Sequence, residues 1–177
     1  MLMLCSILFP ILAGLGLAAW RPHGRIARQN YVLASACITA ALALWAVFTL
    51  RDGPLFTLLT MGDHLSIAFR VDGLSCLFAA LVSVLWPLAC LYAVEYMSRE
   101  GHENRFFTFY LASFGVTLGI AFSANALTMY LFYELLTLAT LPLAMHAMDS
   151  KARYAGRVYL TYSMCGAALG FLAMVML

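Results

Sequence analysis

Six runs of predominantly apolar residues, each close to 20 residues long, occupy most of this 177-residue sequence. An α-helix of that length spans the hydrocarbon core of a bilayer, which is about 30 Å thick. Charged residues make up only 10% of the sequence and collect between the runs, whereas a water-soluble domain disperses about 25% over its surface. The pattern predicts an all-α fold, a polytopic transmembrane helix bundle with six spans.

The sequence predicts one membrane domain over residues 1–177. Helices are expected because lipid offers no hydrogen bonds, so each segment must pair its own backbone groups. The apolar runs do not alternate with polar residues as the strands of a barrel would. The predicted spans cover about 1–20, 31–50, 74–96, 106–122, 126–147 and 158–177. The first run has no basic segment before it, so we keep it as a span rather than a signal peptide.

The loop between the second and third runs has a pattern of its own. Leu65, Ile67, Phe69 and Val71 alternate with more polar residues, and a Gly62-Asp63 break precedes them. Alternation with a period of two, bounded by a turn signal, is typical of strands. We therefore expect a short hairpin at about 55–72, lying on the outer face of the membrane.

Basic residues are unevenly divided between the loops. The first, third and fifth loops carry eight of them, and the second loop carries only Arg51 and Arg70. Because basic loops stay in the cytoplasm, this asymmetry predicts both termini outside a multi-pass protein of a bacterial or archaeal inner (cell) membrane. The eight residues are Arg21, Arg25, Arg28, Arg99, Arg105, Lys151, Arg153 and Arg157.

Several classes of function lack support in the sequence. A net charge of +2 without a basic patch does not indicate a nucleic-acid partner. No haem-ligating histidine pair, iron–sulfur cysteine set or nucleotide-binding glycine motif is present, so we expect no cofactor, no metal and no redox catalysis in this chain. The five cysteines stand singly in apolar segments, and we interpret them as small buried hydrophobic residues. They are Cys5, Cys37, Cys76, Cys90 and Cys165.

Glu134 is the ionisable residue that lies deep within a predicted span. With a helix beginning near Ala126, a rise of about 1.5 Å per residue places its carboxyl roughly 12 Å below the outer end of the span. A charge at that depth costs on the order of 2.5–3.5 kcal/mol, so the carboxyl needs a partner or a proton. A nearby cation that approaches and withdraws would make it a proton-binding site. The alternative is a protonated glutamate that only bonds a neighbouring helix.

A polar path along the same helix is a further hypothesis. Tyr130 and Thr137 lie four residues before and three residues after Glu134, so they share its face. Pro142 should bend the helix and free a backbone acceptor. His146 and Arg157 are further candidates for the path, although His146 is also explained as an interfacial histidine and Arg157 as a topology determinant.

Two small-residue motifs predict close helix contacts. Glycines four residues apart allow helix backbones to approach in a membrane. These pairs are Gly115 with Gly119 and Gly166 with Gly170. Glycine is also common in membrane helices without such a role.

From about Val71 onward the sequence resembles a known family. The matching segments are VDGLSCLFAALVSVLWPLACLYAVEYM and, above all, YLFYELLTLATLPL. They resemble the antiporter-like, proton-conducting membrane subunits of respiratory complex I, Mrp-type cation/proton antiporters and membrane-bound hydrogenases. The resemblance implies the N-terminal portion of a fold of about fourteen helices. It also implies that Glu134 is the glutamate that pairs with a lysine on a later helix.

The sequence departs from that family in one respect. It has six spans, and its lysine, Lys151, lies in a predicted loop rather than within a span. We therefore expect a fragment, the product of a split gene, or a degenerate subunit. In each case another membrane subunit or segment would supply the lysine-bearing helix.

The preferred hypothesis is a proton- or sodium-translocating antiporter-like subunit of a larger membrane complex, with Glu134 handling protons. The competing hypothesis is a structural or assembly subunit that conducts nothing. The two differ in whether replacing Glu134 changes transport.

Overall fold

The computed structural model describes residues 1–20, 24–51, 53–61 and 65–176. Within these ranges it contains six α-helices and one two-stranded hairpin. In chain order they are α1 (Leu2–Trp20), α2 (Arg25–Leu50), β1 (Phe56–Thr60), β2 (Ser66–Phe69), α3 (Gly73–Met97), α4 (Glu103–Ala121), α5 (Ala126–Ala144) and α6 (Ser150–Met176). The predicted all-α membrane fold is confirmed.

Four helix ends differ by three or more residues from the predicted spans, and one of them is the start of α4 at Glu103 rather than 106. α2 begins at Arg25 and α6 at Ser150, several residues before the expected 31 and 158. Hydropathy marks where the apolar core begins, whereas a helix can continue into the headgroup region with long basic side chains that reach water. At the other end, α5 stops at Ala144 rather than 147. Met145 caps it through a backbone N–H that reaches the carbonyls of Leu141 and Leu143.

Five of the described helices are long and apolar enough to cross a membrane by length and composition. α4 is the exception, because its first turn carries Glu103, Asn104 and Arg105. It is also rich in buried residues, nine of its 19. α4 is thus the central helix of the bundle and packs mainly against α1 and α5.

The first glycine motif makes a close helix contact. A Cβ atom at Gly115 would lie 2.3 Å from the Ile7 carbonyl oxygen, and one at Gly119 would lie 2.2 Å from the Phe132 ring. α1 and α5 can approach α4 so closely only because these side chains are absent. Gly166 and Gly170 on α6 have no atom within 4 Å of such a Cβ among the described residues. The second motif therefore faces open space in this chain.

The hairpin is joined to the turn between α4 and α5. β1 and β2 are antiparallel, and β2 also continues onto the turn through two backbone hydrogen bonds. The N–H of Ala124 donates to the Ala68 carbonyl, and the N–H of Arg70 donates to the Phe122 carbonyl, each at 2.9 Å. β2 is largely buried and β1 is exposed. The hairpin therefore fixes the end of the bundle at which α5 begins.

The opposite end of the bundle is held by charged side chains. Arg28 of α2 and Glu103 of α4 form an ion pair, with 2.5 Å between Nη2 and Oε2. Arg105 donates to the carbonyl of His146, beyond the end of α5. The first, third and fifth loops thus lie at one end, and both termini lie at the hairpin end. That this end of the bundle faces the cytoplasm stays a prediction. Arg21 and the Gly62-Asp63 break lie outside the described residues.

The expectation that the cysteines are buried is wrong for three of the five. Cys90 is buried and Cys76 half-buried, while Cys5, Cys37 and Cys165 are exposed on the surface of the bundle. In a membrane protein the outer surface faces lipid and is itself apolar. An apolar neighbourhood in the sequence therefore does not distinguish a buried cysteine from a lipid-facing one.

Candidate functional site

α5 begins at a side-chain cap. Asn125 precedes the helix in an extended conformation, and its Oδ1 accepts a hydrogen bond from the Thr128 N–H at 2.8 Å. The Asn125 amide also donates to the Ser66 carbonyl of β2 at 2.7 Å. Counted from Ala126, Glu134 is the ninth of 19 residues, roughly 12 Å along a helix about 28 Å long. Its carboxyl is therefore at mid-helix depth.

The rotation of α5 turns Glu134 away from the centre of the bundle. Phe132 packs against α4 at Gly119 and against Phe69 of the hairpin, with ring centroids 5.6 Å apart. Two residues correspond to about 160° around a helix, so Glu134 points to the opposite side. Its side chain is only half-buried, beside Leu135 and Leu138, which are 47% and 58% exposed. The sequence predicted a fully buried carboxyl, but within this chain it is half-buried, because α4 packs on the opposite face of α5.

Tyr130 is the polar neighbour of Glu134. Tyr130 lies one turn before Glu134 on α5, on the same face and close enough to interact electrostatically with its carboxylate. The Tyr130 ring also packs on Phe171 of α6, with centroids 5.5 Å apart. No described residue forms an ion pair with Glu134. The carboxyl thus has one polar contact on its own helix and an open side.

Thr137 belongs to the contact between α5 and α6. It is buried, and its Oγ1 lies 2.9 Å from the Ser163 hydroxyl. One turn further along, Thr140 and Tyr159 make a second hydroxyl pair at 2.8 Å. A groove of 480 Å³ opens beside these pairs, lined by Tyr133, Leu136, Thr137, Tyr159, Tyr162 and Ser163.

Sequence reasoning missed the α6 half of this contact. Ser163 and Tyr159 are four residues apart on α6, as required for one face, and Thr137 and Thr140 are three apart on α5. The sequence signal that could have predicted this contact was the matching spacing of hydroxyl residues on two consecutive helices. The antiparallel register that pairs them is known only from the structure.

His146 is not brought near Glu134. It lies beyond the end of α5, and some 15 Å of helix axis lies between Glu134 and the last residue of that helix. Its Nε2 is 3.0 Å from the Gly101 carbonyl, and its ring packs edge-on against Phe106. His146 therefore joins the turn after α5 to the start of α4. Pro142 lies inside α5, within its last turn.

Arg157 lies within α6 rather than in a loop. It is exposed, and its carbonyl accepts a hydrogen bond from the Thr161 hydroxyl at 2.9 Å. No described carboxylate forms an ion pair with it. Of the predicted site residues, the structure places Tyr130 beside Glu134 and Thr137 on the adjoining face, and keeps His146 and Arg157 apart from them.

Comparison with known proteins finds similarity to a complex I family and to antiporter subunits. Residues 58–107 match the family described as NADH-ubiquinone oxidoreductase (complex I), chain 5 N-terminus. A probable K(+)/H(+) antiporter subunit of Rhizobium meliloti is 32% identical over 114 residues, 64% of this chain and 11% of that protein. A Na(+)/H(+) antiporter subunit of Alkalihalophilus pseudofirmus is 39% identical over 71 residues, 40% of this chain and 9% of that protein. The matched segments thus span about a tenth of these relatives.

A solved structure shares the fold. A chain of the membrane-bound sulfane sulfur reductase, an archaeal respiratory membrane complex, aligns with a TM-score of 0.78 at 14% identity. The alignment covers 94% of this chain and 34% of that one. The predicted resemblance is confirmed: the chain is similar to cation/proton antiporter subunits and, over residues 58–107, to the N-terminus of complex I chain 5.

Proposed function

We propose that this chain is a proton- or sodium-translocating antiporter-like subunit, or the N-terminal part of one, and that Glu134 handles the proton. The observation that carries the proposal is a carboxyl at mid-helix depth on the open face of α5, with a tyrosine hydroxyl beside it. Ionisable groups at such depth are costly and mark ion pathways in membrane proteins. The antiporter names of the matched relatives support the same function.

The open side of Glu134 requires a covering element. In a bilayer the exposed leucines around it would face lipid, and an ionised carboxylate there would cost on the order of 2.5–3.5 kcal/mol. We expect a helix of another membrane subunit or segment to pack on α5 and α6. A lysine on that helix, as the resemblance implies, would pair with Glu134 and favour its ionised form.

Such a pair can couple proton movement to the movement of charge. When the cation is close, the carboxyl releases its proton, because the ionised form gains an attractive partner. When the cation withdraws, desolvation favours the neutral form and the carboxyl takes up a proton again. Tyr130, one turn earlier on the same face of α5, supplies a hydroxyl to this polar site.

The test is to replace Glu134 with alanine and with glutamine in the assembled complex and to follow proton uptake in vesicles. Glu134→Gln keeps the size and most of the polarity but cannot ionise, so we expect loss of uptake with normal assembly. Glu100→Gln is the matched control, because Glu100 is exposed in the loop between α3 and α4. It should leave uptake unchanged.

Unchanged uptake in both Glu134 variants would contradict the proposal. If a Glu134 variant instead lowers the amount of complex recovered while the remaining complex transports normally, the residue has a structural role. The amount of complex and the transport per complex are therefore measured separately.

A further inference from the structure

α3 contains a buried polar site that the proposed function does not use. Ser83 is 2% exposed, and its hydroxyl has no hydrogen-bond partner among the described residues. The indole Nε1 of Trp86, one turn along the same helix, is also buried without a partner there. Both residues lie near the middle of α3, away from water at either end.

The Ser83 hydroxyl differs from other helical hydroxyls of this chain. Several serine and threonine side chains donate to the carbonyl four residues earlier, which satisfies a hydroxyl in an apolar setting. These include Ser35, Thr39, Thr108, Ser113, Thr117, Thr140 and Thr161. Ser83 does not make this bond. A buried hydroxyl without a partner costs about 1–3 kcal/mol, so its satisfaction must come from another group.

Pro87 adds an acceptor at the same place. Proline has no N–H, so the Ser83 carbonyl lacks the helical donor that residue 87 would otherwise supply. In the turn of α3 from residue 83 to 87, the helix therefore supplies no hydrogen-bond partner for three groups. They are the Ser83 hydroxyl, the Ser83 carbonyl oxygen and the Trp86 indole N–H. Together they offer donors and an acceptor to a single small polar molecule.

Aromatic packing holds the indole in position. The Trp86 ring stacks on Phe114 of α4, with centroids 5.1 Å apart, and packs against Tyr110 at 5.4 Å. The Tyr110 hydroxyl donates to the Trp86 carbonyl at 3.0 Å, and no described group accepts from the Trp86 indole N–H. Ser83 and Trp86 are three residues apart on α3, so their side chains leave the helix on the same face.

We infer that the turn of α3 that contains Ser83, Trp86 and Pro87 holds a buried water molecule. The water would accept from the Trp86 N–H and exchange hydrogen bonds with the Ser83 hydroxyl and carbonyl. Buried waters make about three such bonds to otherwise unsatisfied groups. The inference does not depend on Glu134, which lies on a different helix.

The test uses the chain in lipid bilayers, labelled with ¹⁵N at the tryptophan indoles, and solid-state NMR that transfers polarisation from water. The sequence has only three tryptophans, so Trp86→Phe assigns the Trp86 signal. Trp20, exposed at the end of α1, supplies the reference for an indole in contact with water. We expect the buried Trp86 indole to receive polarisation from water as well.

Ser83→Ala should remove this transfer at Trp86, because it takes away one ligand of the water. Ser113→Ala is the matched control: Ser113 is buried, but its hydroxyl is already bonded to the Phe109 carbonyl. If Ser83→Ala is recovered poorly, Ser83→Cys keeps the volume with a weaker hydrogen-bonding group and should reduce the transfer. Absence of transfer at Trp86 in the unmodified chain, or equal transfer in the Ser83 variant, would overturn the inference.

Discussion

Asp72 begins α3 through its own side chain. The carboxylate Oδ1 accepts a hydrogen bond from the Ser75 N–H at 2.7 Å, as expected of an N-cap. This bond is the main reason that the pKa of Asp72 lies below its ordinary value of 3.8, and the Ser75 hydroxyl and Arg70 act in the same direction. The acidic-Gly opening VDGLS therefore has a local explanation, namely the start of a helix.

Replacing Asp72 with alanine should destabilise the fold by about 0.5–2 kcal/mol, the usual cost of losing an N-cap. Asp72→Asn keeps an acceptor oxygen and should cost less. Denaturant unfolding of the chain in detergent micelles measures both. Equal stability of the alanine variant and the unmodified chain would show that the cap contributes nothing.

Asp72→Asn and the unmodified chain should also differ in how their stability depends on pH. A lowered pKa in the folded state means that the ionised carboxylate stabilises the fold above pH 3.8 and that this contribution is lost as the pH falls through the folded pKa. Asp72→Asn has no charge to lose, so its difference from the unmodified chain should change only below about pH 4.

At the scale of helices, hydropathy predicted the number and order of the elements. It did not predict where α2 and α6 begin, because the residues added at those ends include several basic ones, whose charges lower the mean hydropathy. It also extended α5 to 147, and so placed His146 on a helix that ends at Ala144. A periodic pattern reports the apolar environment, whereas a helix end depends on which backbone groups find partners.

The two glycine motifs should respond differently to substitution. Gly115→Ala would place a Cβ atom 2.3 Å from a backbone oxygen of α1, so we expect a loss of about 1–3 kcal/mol or more. Gly166→Ala meets no described atom within 4 Å and should be neutral or stabilise α6 by up to about 1 kcal/mol. Unfolding of the chain in micelles separates the two.

Gly166→Ala also tests whether a neighbouring helix of the complex packs on α6. If a neighbouring helix packs on α6 at Gly166, then Gly166→Ala should lower recovery of the assembled complex although the chain itself is stable. Unchanged recovery would indicate that this face is not the interface.

The Arg28–Glu103 ion pair connects the starts of α2 and α4. The two side chains are 15% and 12% exposed, and Arg28 donates through both Nε and Nη2 to one carboxylate oxygen. Sequence patterns could not pair them, because 75 residues separate them.

A double-mutant cycle with Arg28→Gln and Glu103→Gln should give a coupling of about 1.5–3 kcal/mol, the range for hydrogen bonds to charged groups. Each single variant leaves one half-buried charge without its partner, so the double variant should be no less stable than either single one. Additive losses would show that the two residues do not interact.

At the scale of the whole molecule, burial is uneven. Eight residues of α2 and nine of α4 are buried, but only Thr128 and Thr137 in α5 and Gly156 and Ala167 in α6 among the described residues. Large apolar side chains are exposed along both of these last helices. Lipid can cover such side chains, but it cannot cover the Glu134 carboxyl at low cost. The uneven burial thus supports a protein partner at the α5–α6 face.

The sequence was enough to single out Glu134 and its depth, because one acidic residue in a long apolar run is a clear signal. It could not predict which way the carboxyl points, since that depends on Phe132 packing into the space left by Gly119. It also could not predict the Thr137–Ser163 contact, which depends on the register of two helices.

Infrared difference spectroscopy of the assembled complex tests the central claim most directly, because it observes a carboxyl group gaining and losing a proton. We predict a band of a protonated carboxyl that appears and disappears during turnover, is absent in Glu134→Gln and persists in Glu100→Gln. A band that is unchanged in Glu134→Gln would contradict the claim that this carboxyl handles the proton.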